Sequence, residues 1–215
     1  MQRKIGDDIF AAYQSALAGI RATERGQQPI KPSDSYLLHD VSLILMDCAL
    51  RPEECYRLQW EQIRESCLHV DHGKTPNARR AIPLTTRSQE VLRYSRECSN
   101  SSWVFPAATQ SGHIEQSTLR DQHRKACALT EISYFPFYTF RHSCLTKWSQ
   151  HMDPYTLAYF AGHTDFGTTR RYVHPSLESG RAAMERANMA WGRHSSGHTA
   201  PTDISTTKEI TPLVQ

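Results

Sequence analysis

No long apolar run occurs in this sequence. The longest, Val41 to Met46, is short and interrupted by Ser42, and a bilayer span needs ~20 apolar residues. The charged start, Met1 to Asp8, has no signal-peptide core. These absences exclude a membrane-spanning helix and lead us to expect a soluble, cytoplasmic protein. There is no CxxC pair, although six cysteines are present. Scattered through expected helices and one strand, they read as buried free thiols and not as a disulfide framework. There is no HExxH and no Cys/His cluster of zinc spacing, despite eleven histidines, so no metal site is expected. No internal repeat is visible. An excess of charge is lacking too: 25 Lys and Arg oppose 22 Asp and Glu, a net charge of +3. That balance points only faintly to a polyanionic partner.

What is present fits one domain with extensions, in a chain of 215 residues. Residues 1–33 read as an amphipathic helix, Asp8 to Glu24, with Ile9, Tyr13, Leu17 and Ile20 on one stripe, then a polar, Pro-containing linker. Residues 34–192 carry the main pattern. A helix around Leu37 to Leu45 is apolar nearly all round and should be buried. Pro52 should start a helix running to about Arg64, with Cys55, Leu58 and Trp60 inward. Cys67–Val70 and Arg80–Leu84 read as two short strands around a turn containing Lys74. Further helices are expected at about 86–97, 116–130, 139–150 and 153–161, and a last one at about 176–190 with Ser176 as N-cap. Residues 193–215 are polar, unpatterned and expected to be a disordered tail. The fold class expected is mainly α with a small antiparallel β-sheet (α+β).

Taken singly, the reactive-looking residues have plain explanations. Arg51 reads as a surface arginine paired with Glu54 at i+3, and Lys74 as a turn lysine. Arg141-His142 reads as a charged helix face, His163 as a helix C-terminal residue, and Tyr172 as core. Tyrosine, with an ordinary pKa of ~10, is a poor nucleophile unless cations and proton carriers lie close to it.

Together, their order and spacing say more. Ala49-Leu50-Arg51-Pro52-Glu53-Glu54 through Leu58-Gln59-Trp60 resembles the first arginine box of the tyrosine recombinases, the phage-integrase family. Gly73-Lys74-Thr75 and Arg79-Arg80-Ala81-Ile82-Pro83-Leu84 are similar to its hairpin lysine and Arg-x-x-Pro-Leu strand. Tyr138-Thr139-Phe140-Arg141-His142-Ser143 resembles its second arginine box. Gly162-His163 through Thr168-Thr169-Arg170-Arg171-Tyr172 matches its closing box, with nine residues from histidine to tyrosine. The resemblance covers about residues 35–190. One departure stands out: the family's second box usually opens with histidine, and here Tyr138 occupies that position. A phenol can donate a hydrogen bond but cannot relay protons near neutral pH as imidazole does.

The resemblance implies the family's catalytic-domain fold and DNA strand transfer. Tyr172 would attack a phosphodiester of double-stranded DNA, leaving a 3′-phosphotyrosine bond and a free 5′-hydroxyl, without metal, ATP or other cofactor. Arg51 and Arg141 would clamp the non-bridging oxygens. Lys74 would protonate the leaving oxygen. His163, and Tyr138 in its altered position, would hydrogen-bond the phosphate. Glu54 would hold Arg51, and His142 would be a supporting residue. Arg79, Arg80, Lys147, Arg170 and Arg171 would contact DNA phosphates. The resemblance further implies a monomer in solution that forms a homotetramer on DNA, associated with the nucleoid when acting. The last helix would dock, in cis or on a neighbouring protomer, through Met184, Ala187 and Trp191. The N-terminal DNA-clamping domain of the family has no counterpart in residues 1–33. Two other readings remain open: a DNA-binding relative without cleavage, for which Tyr138 is the argument, and a type IB topoisomerase-like enzyme, against which the Gly162 to Tyr172 spacing argues.

Overall fold

The computed structural model describes residues 5–24, 35–71, 79–97 and 99–192. It divides into two compact units, residues 1–173 and 174–215. The first is mainly helical with one three-stranded antiparallel sheet, as the sequence pattern implies.

Helix α2 (Ser35–Cys48) is the axis of the core. Leu38, Val41, Ile44, Leu45 and Cys48 have no exposed surface, and each large aliphatic side chain so buried contributes ~1.5–3 kcal/mol. Around it pack α1 (Asp7–Glu24), α3 (Pro52–Tyr56), α4 (Thr86–Glu97), α5 (Gln116–Leu129) and α6 (Tyr138–Trp148). In α1 the inward stripe is Phe10, Tyr13 and Leu17, while Ile9 is 42% exposed. Tyr13 and Leu17 face inward as expected, Phe10 takes the place expected of Ile9, and the side chain of Ile20 lies outside the described residues. Phe10 meets Phe140 edge-on at 6.0 Å, and the Tyr13 hydroxyl lies 2.6 Å from His123 Nδ1. The N-terminal segment thus shares its core with the rest of the unit.

The helix expected from Pro52 to Arg64 stops at Tyr56. Long-range pairing replaces the remainder: the Trp60 amide donates to Ser102 O, and the Val104 amide to Leu58 O. A single 3₁₀ turn, Trp60–Gln62, leads into β1 (Ile63–Arg64). Strand β2 (Cys67–Val70) pairs with both β1 and β3 (Arg80–Pro83). Glu65 and Ser66 turn the β1–β2 hairpin with φ of 53° and 57°, the tight turn that Asn-Gly ordinarily supplies. Along β3, Arg80 and Ile82 face inward while Ala81 and Pro83 face out. Residues 72–78, which include Lys74, lie outside the described residues.

Helices α7 (Pro154–Ala161) and α8 (Phe166–Arg170) complete the first unit. Asp153 caps α7 by accepting from the Tyr155 and Thr156 amides. In the second unit, α9 (Leu177–Gly192) is capped by Ser176, whose Oγ accepts from the Ser179 amide. The expected tail, 193–215, lies outside the described residues. Cys48, Cys55, Cys67, Cys127 and Cys144 are free thiols; Cys98 lies outside the described residues.

Candidate active site

The α2–α3 junction sets Arg51. Helix α2 ends at Ala49, fully buried and held at φ 49°, a left-handed conformation that costs an L-residue ~1–2 kcal/mol. Arg51 is then extended, Pro52 opens α3, and the Glu54 carboxylate reaches back to the Arg51 amide at 2.8 Å. The Arg51 guanidinium donates to Glu54 Oε1 and to Gly162 O, each at 2.9 Å. Glu54 also accepts from Arg80 at 2.7 and 3.2 Å, while Arg80 Nε donates to Phe160 O at 2.8 Å. Burial alone would raise the Glu54 pKa; the hydrogen bonds and charge of Arg80, then those of Arg51, hold it below the usual carboxylate range. Glu54 thus bonds both the backbone and the guanidinium of Arg51.

Arg80 corrects an expectation. Its side chain has no exposed surface, so it is a buried structural cation and not a DNA-phosphate contact. Its inward position on β3, shared with Ile82, is the reason. Lys147 lies on α6. It is half-exposed and pairs with Asp7 at 3.0 Å, on a different face of α6 from His142. Arg79, Arg170 and Arg171 are exposed.

Arg141 is fully buried. Its terminal nitrogens donate to Ala49 O and, at 2.5 Å, to Ala161 O, and its Nε has no hydrogen-bond partner among the described residues. It ties the junction bearing Arg51 to the α7 C-terminus bearing His163. A solvent-facing bidentate clamp from Arg141 is not the geometry seen: the guanidinium is buried and bonded to two backbone carbonyls. Gly162 closes α7 at φ 62°, and a Cβ there would meet Arg80 Nη1 at 2.9 Å, so both backbone and space require glycine.

His163 follows. Its Nδ1 lies 2.8 Å from Thr169 Oγ1. Burial, then the charges of Arg141, Arg51, Arg80 and His142, lower its pKa to about 4, so it is neutral at neutral pH. Thr169 is fully buried and orients this ring. It was not singled out as a site residue, although the Thr168-Thr169 pair stands inside the closing box.

The turn after α8 brings Tyr172 between two imidazoles. Its ring stacks on His142 at 5.8 Å and on His163 at 6.1 Å. Its hydroxyl is 2.5 Å from His142 Nδ1, and the residue is 7% exposed. Burial, then Tyr138, raise the Tyr172 pKa against the opposing pull of Arg141 and Arg171. Tyr138 is 40% exposed. It meets His142 edge-on at 4.8 Å, with the Arg141 guanidinium 5.9 Å from its ring centre. Arg51, Glu54, Tyr138, Arg141, His142, His163 and Tyr172 are thus brought together from four segments: the α2–α3 junction, α6 and the turns after α7 and α8. Among the described residues no group of three His, Cys, Asp or Glu could hold a metal ion, and no described helix is long and apolar enough to cross a membrane.

A phenol flanked by imidazoles and backed by fixed guanidiniums, on a mainly helical frame with a small sheet, defines the class. The family model described as "Phage integrase family" matches residues 22–178. The chain belongs to that family.

Solved tyrosine recombinases share the fold. The Tn1549 transposon integrase (residues 82–397), in complex with circular intermediate DNA, matches with a TM-score of 0.66 and 18% identity over 87% of this chain and 67% of that one. XerA recombinase matches with a TM-score of 0.61 and 15% identity over 92% and 65%. A lambda integrase (75–356) dimer bound to a COC′ core site matches with a TM-score of 0.60 and 15% identity over 80% and 59%. The chain thus spans about two thirds or less of these relatives' lengths. No curated protein sequence matches.

Proposed function

We propose that this chain is the catalytic domain of a site-specific recombinase or integrase that cuts and rejoins double-stranded DNA through Tyr172. The observation that carries this reading is the Tyr172 hydroxyl, held beside His142 and His163 with Arg51, Arg141 and Arg171 close by. A tyrosine with a raised pKa needs a proton acceptor on its hydroxyl and positive charge on the phosphate it attacks. Tyr172 attacks in line, the 5′-oxygen leaves, and the bond energy stays in a 3′-phosphotyrosine. Religation to another 5′-hydroxyl then needs no external energy source.

Arg51, half-exposed, contacts a non-bridging oxygen directly. Arg141 contributes charge from behind and keeps Ala49 and Ala161 in register. His163, neutral and oriented by Thr169, hydrogen-bonds the phosphate. Lys74 protonates the leaving oxygen. Arg79, Arg170 and Arg171 hold the backbone on either side. Family membership supports the DNA partner, and two of the related proteins above were solved on circular intermediate DNA and on a core site. Strand exchange takes place in a homotetramer of protomers that are monomeric in solution. Helix α9 exposes Leu177, Met184, Met189 and Trp191 and half-buries Ala187. It supplies an apolar face for docking.

A second reading, DNA binding without cleavage, is favoured by one feature: Tyr138 where the family usually has histidine. A nicked duplex, selected from a randomised pool for binding to this protein, separates the two. The expected result is a covalent adduct in a denaturing gel with the native protein and none with Tyr172→Phe. DNA retention with no adduct from either protein supports the binding-only reading.

A further inference from the structure

The imidazole missing from position 138 has a replacement one helical turn away. Tyr138 and His142 are four residues apart on α6 and so share a face, their rings in edge-on contact. Two imidazoles flank Tyr172, but only one has its nitrogen on the hydroxyl. His163 directs Nδ1 at Thr169, whereas His142 Nδ1 lies 2.5 Å from the phenol oxygen. His142 faces Tyr138 and Arg141 on its own helix, Tyr172 and Arg171 after α8, and His163 after α7. Burial, then Arg141 and Arg171, push its pKa down, which keeps the ring neutral at neutral pH. A neutral imidazole has one N–H and one lone pair. With the Tyr172 hydroxyl donating to Nδ1, the proton sits on Nε2. That nitrogen is buried without a hydrogen-bond partner among the described residues, so no second acceptor raises the basicity of Nδ1.

We propose that His142 is the proton acceptor for Tyr172 in DNA strand cleavage, supplying from the next turn of α6 what Tyr138 cannot. The proposal rests on Tyr172 being the nucleophile. In the step, the Tyr172 O–H bond breaks and its proton goes to the Nδ1 lone pair. The phenolate oxygen forms a bond to phosphorus, and the bond from phosphorus to O5′ breaks with its electron pair on O5′. That oxygen takes a proton from water. Because the phenol is a much weaker acid than the imidazolium, proton transfer runs together with O–P bond formation and not ahead of it. On religation the imidazolium returns the proton to Tyr172.

The test is single-turnover adduct formation on the nicked duplex described above, by native protein, His142→Gln and Tyr172→Phe, with DNA retention and circular dichroism as folding controls. H142Q keeps an amide oxygen that can accept the Tyr172 hydrogen bond, yet takes no proton. The expected loss in H142Q is about 10²–10⁴-fold, with retention of DNA unchanged. The native rate should be level from neutral to mildly alkaline pH. The H142Q rate should climb about tenfold per pH unit, because only phenol already ionised reacts. A ring-fluorinated tyrosine at 172, being more acidic, should recover part of the H142Q loss. Three outcomes overturn the proposal while leaving the nucleophile intact. One is an H142Q rate and profile equal to native; another is a lowered rate with an unchanged profile, which marks a positioning role. The third is a faster H142Q, which marks a restraint on Tyr172. An adduct surviving in Tyr172→Phe, or none from the native protein, overturns the underlying reading as well.

Discussion

The guanidinium cluster around Glu54 and the ring cluster around Tyr172 adjoin each other, yet they are built on opposite terms. In the first, Glu54 accepts from Arg51 and Arg80, and Arg51, Arg80 and Arg141 donate to the carbonyls of Gly162, Phe160, Ala49 and Ala161. Each of the three guanidiniums is tied to at least one backbone carbonyl, so the charges are held in place before any substrate arrives. In the second, Tyr138 is 40% exposed and His142 Nε2 has no hydrogen-bond partner among the described residues. Fixed charge and adjustable protons are thereby separated into neighbouring groups. That division suits a reaction in which the phosphate needs constant stabilisation while the phenol changes its protonation state.

Breaking the fixed cluster should have the largest effect. Arg80→Ala leaves Glu54 buried with only Arg51, and removal of one partner from a buried pair costs ~3–5 kcal/mol. Urea unfolding should show this loss; a change within about 1 kcal/mol would mean that Arg80 is not structural. Thr169→Ala removes a buried hydroxyl from His163 and should cost ~1–3 kcal/mol, with slower adduct formation. Ala49→Gly relieves the left-handed strain at the α2 end and should stabilise the fold by about 1 kcal/mol. A loss of stability there would show that the Ala49 methyl matters more for packing than its backbone does.

These expectations bear on what could be read from residues alone. Arg51 was legible because Pro52 and Glu54 mark a helix start whose carboxylate reaches back, a local device. Arg80 was misread because arginine is ordinarily a surface residue; the alternation with Ile82 along β3 is the signal that points inward. The contact between His142 and Tyr172 spans thirty residues and depends on the turn after α8, so no local pattern reveals it. The helix expected to reach Arg64 failed for a similar reason. Its apolar spacing is local, whereas pairing with Ser102–Val104 is not.

Acid sharpens the comparison further. The His163 pKa falls from 6.5 to about 4 on folding, so below pH 6.5 the unfolded chain binds a proton that the folded chain does not. Stability should therefore decline as pH drops from 6.5 to about 4, and His163→Gln should flatten part of that decline in a series of urea titrations. The same slope in both proteins would place the titration elsewhere. The smallest change is expected at Tyr138, which is exposed and peripheral to the fixed charges. Tyr138→His should leave adduct formation intact or raise it, and a collapse of activity would assign the phenol a specific role.

The central claim is that Tyr172 carries the covalent bond to DNA. Trapping the protein on the selected nicked duplex, digesting the adduct and mapping the nucleotide-bearing peptide tests it most directly. The prediction is one modified peptide, with the DNA 3′-phosphate on Tyr172, absent from Tyr172→Phe. A nucleotide mapped to any other residue, or an adduct that persists in Tyr172→Phe, would contradict the account.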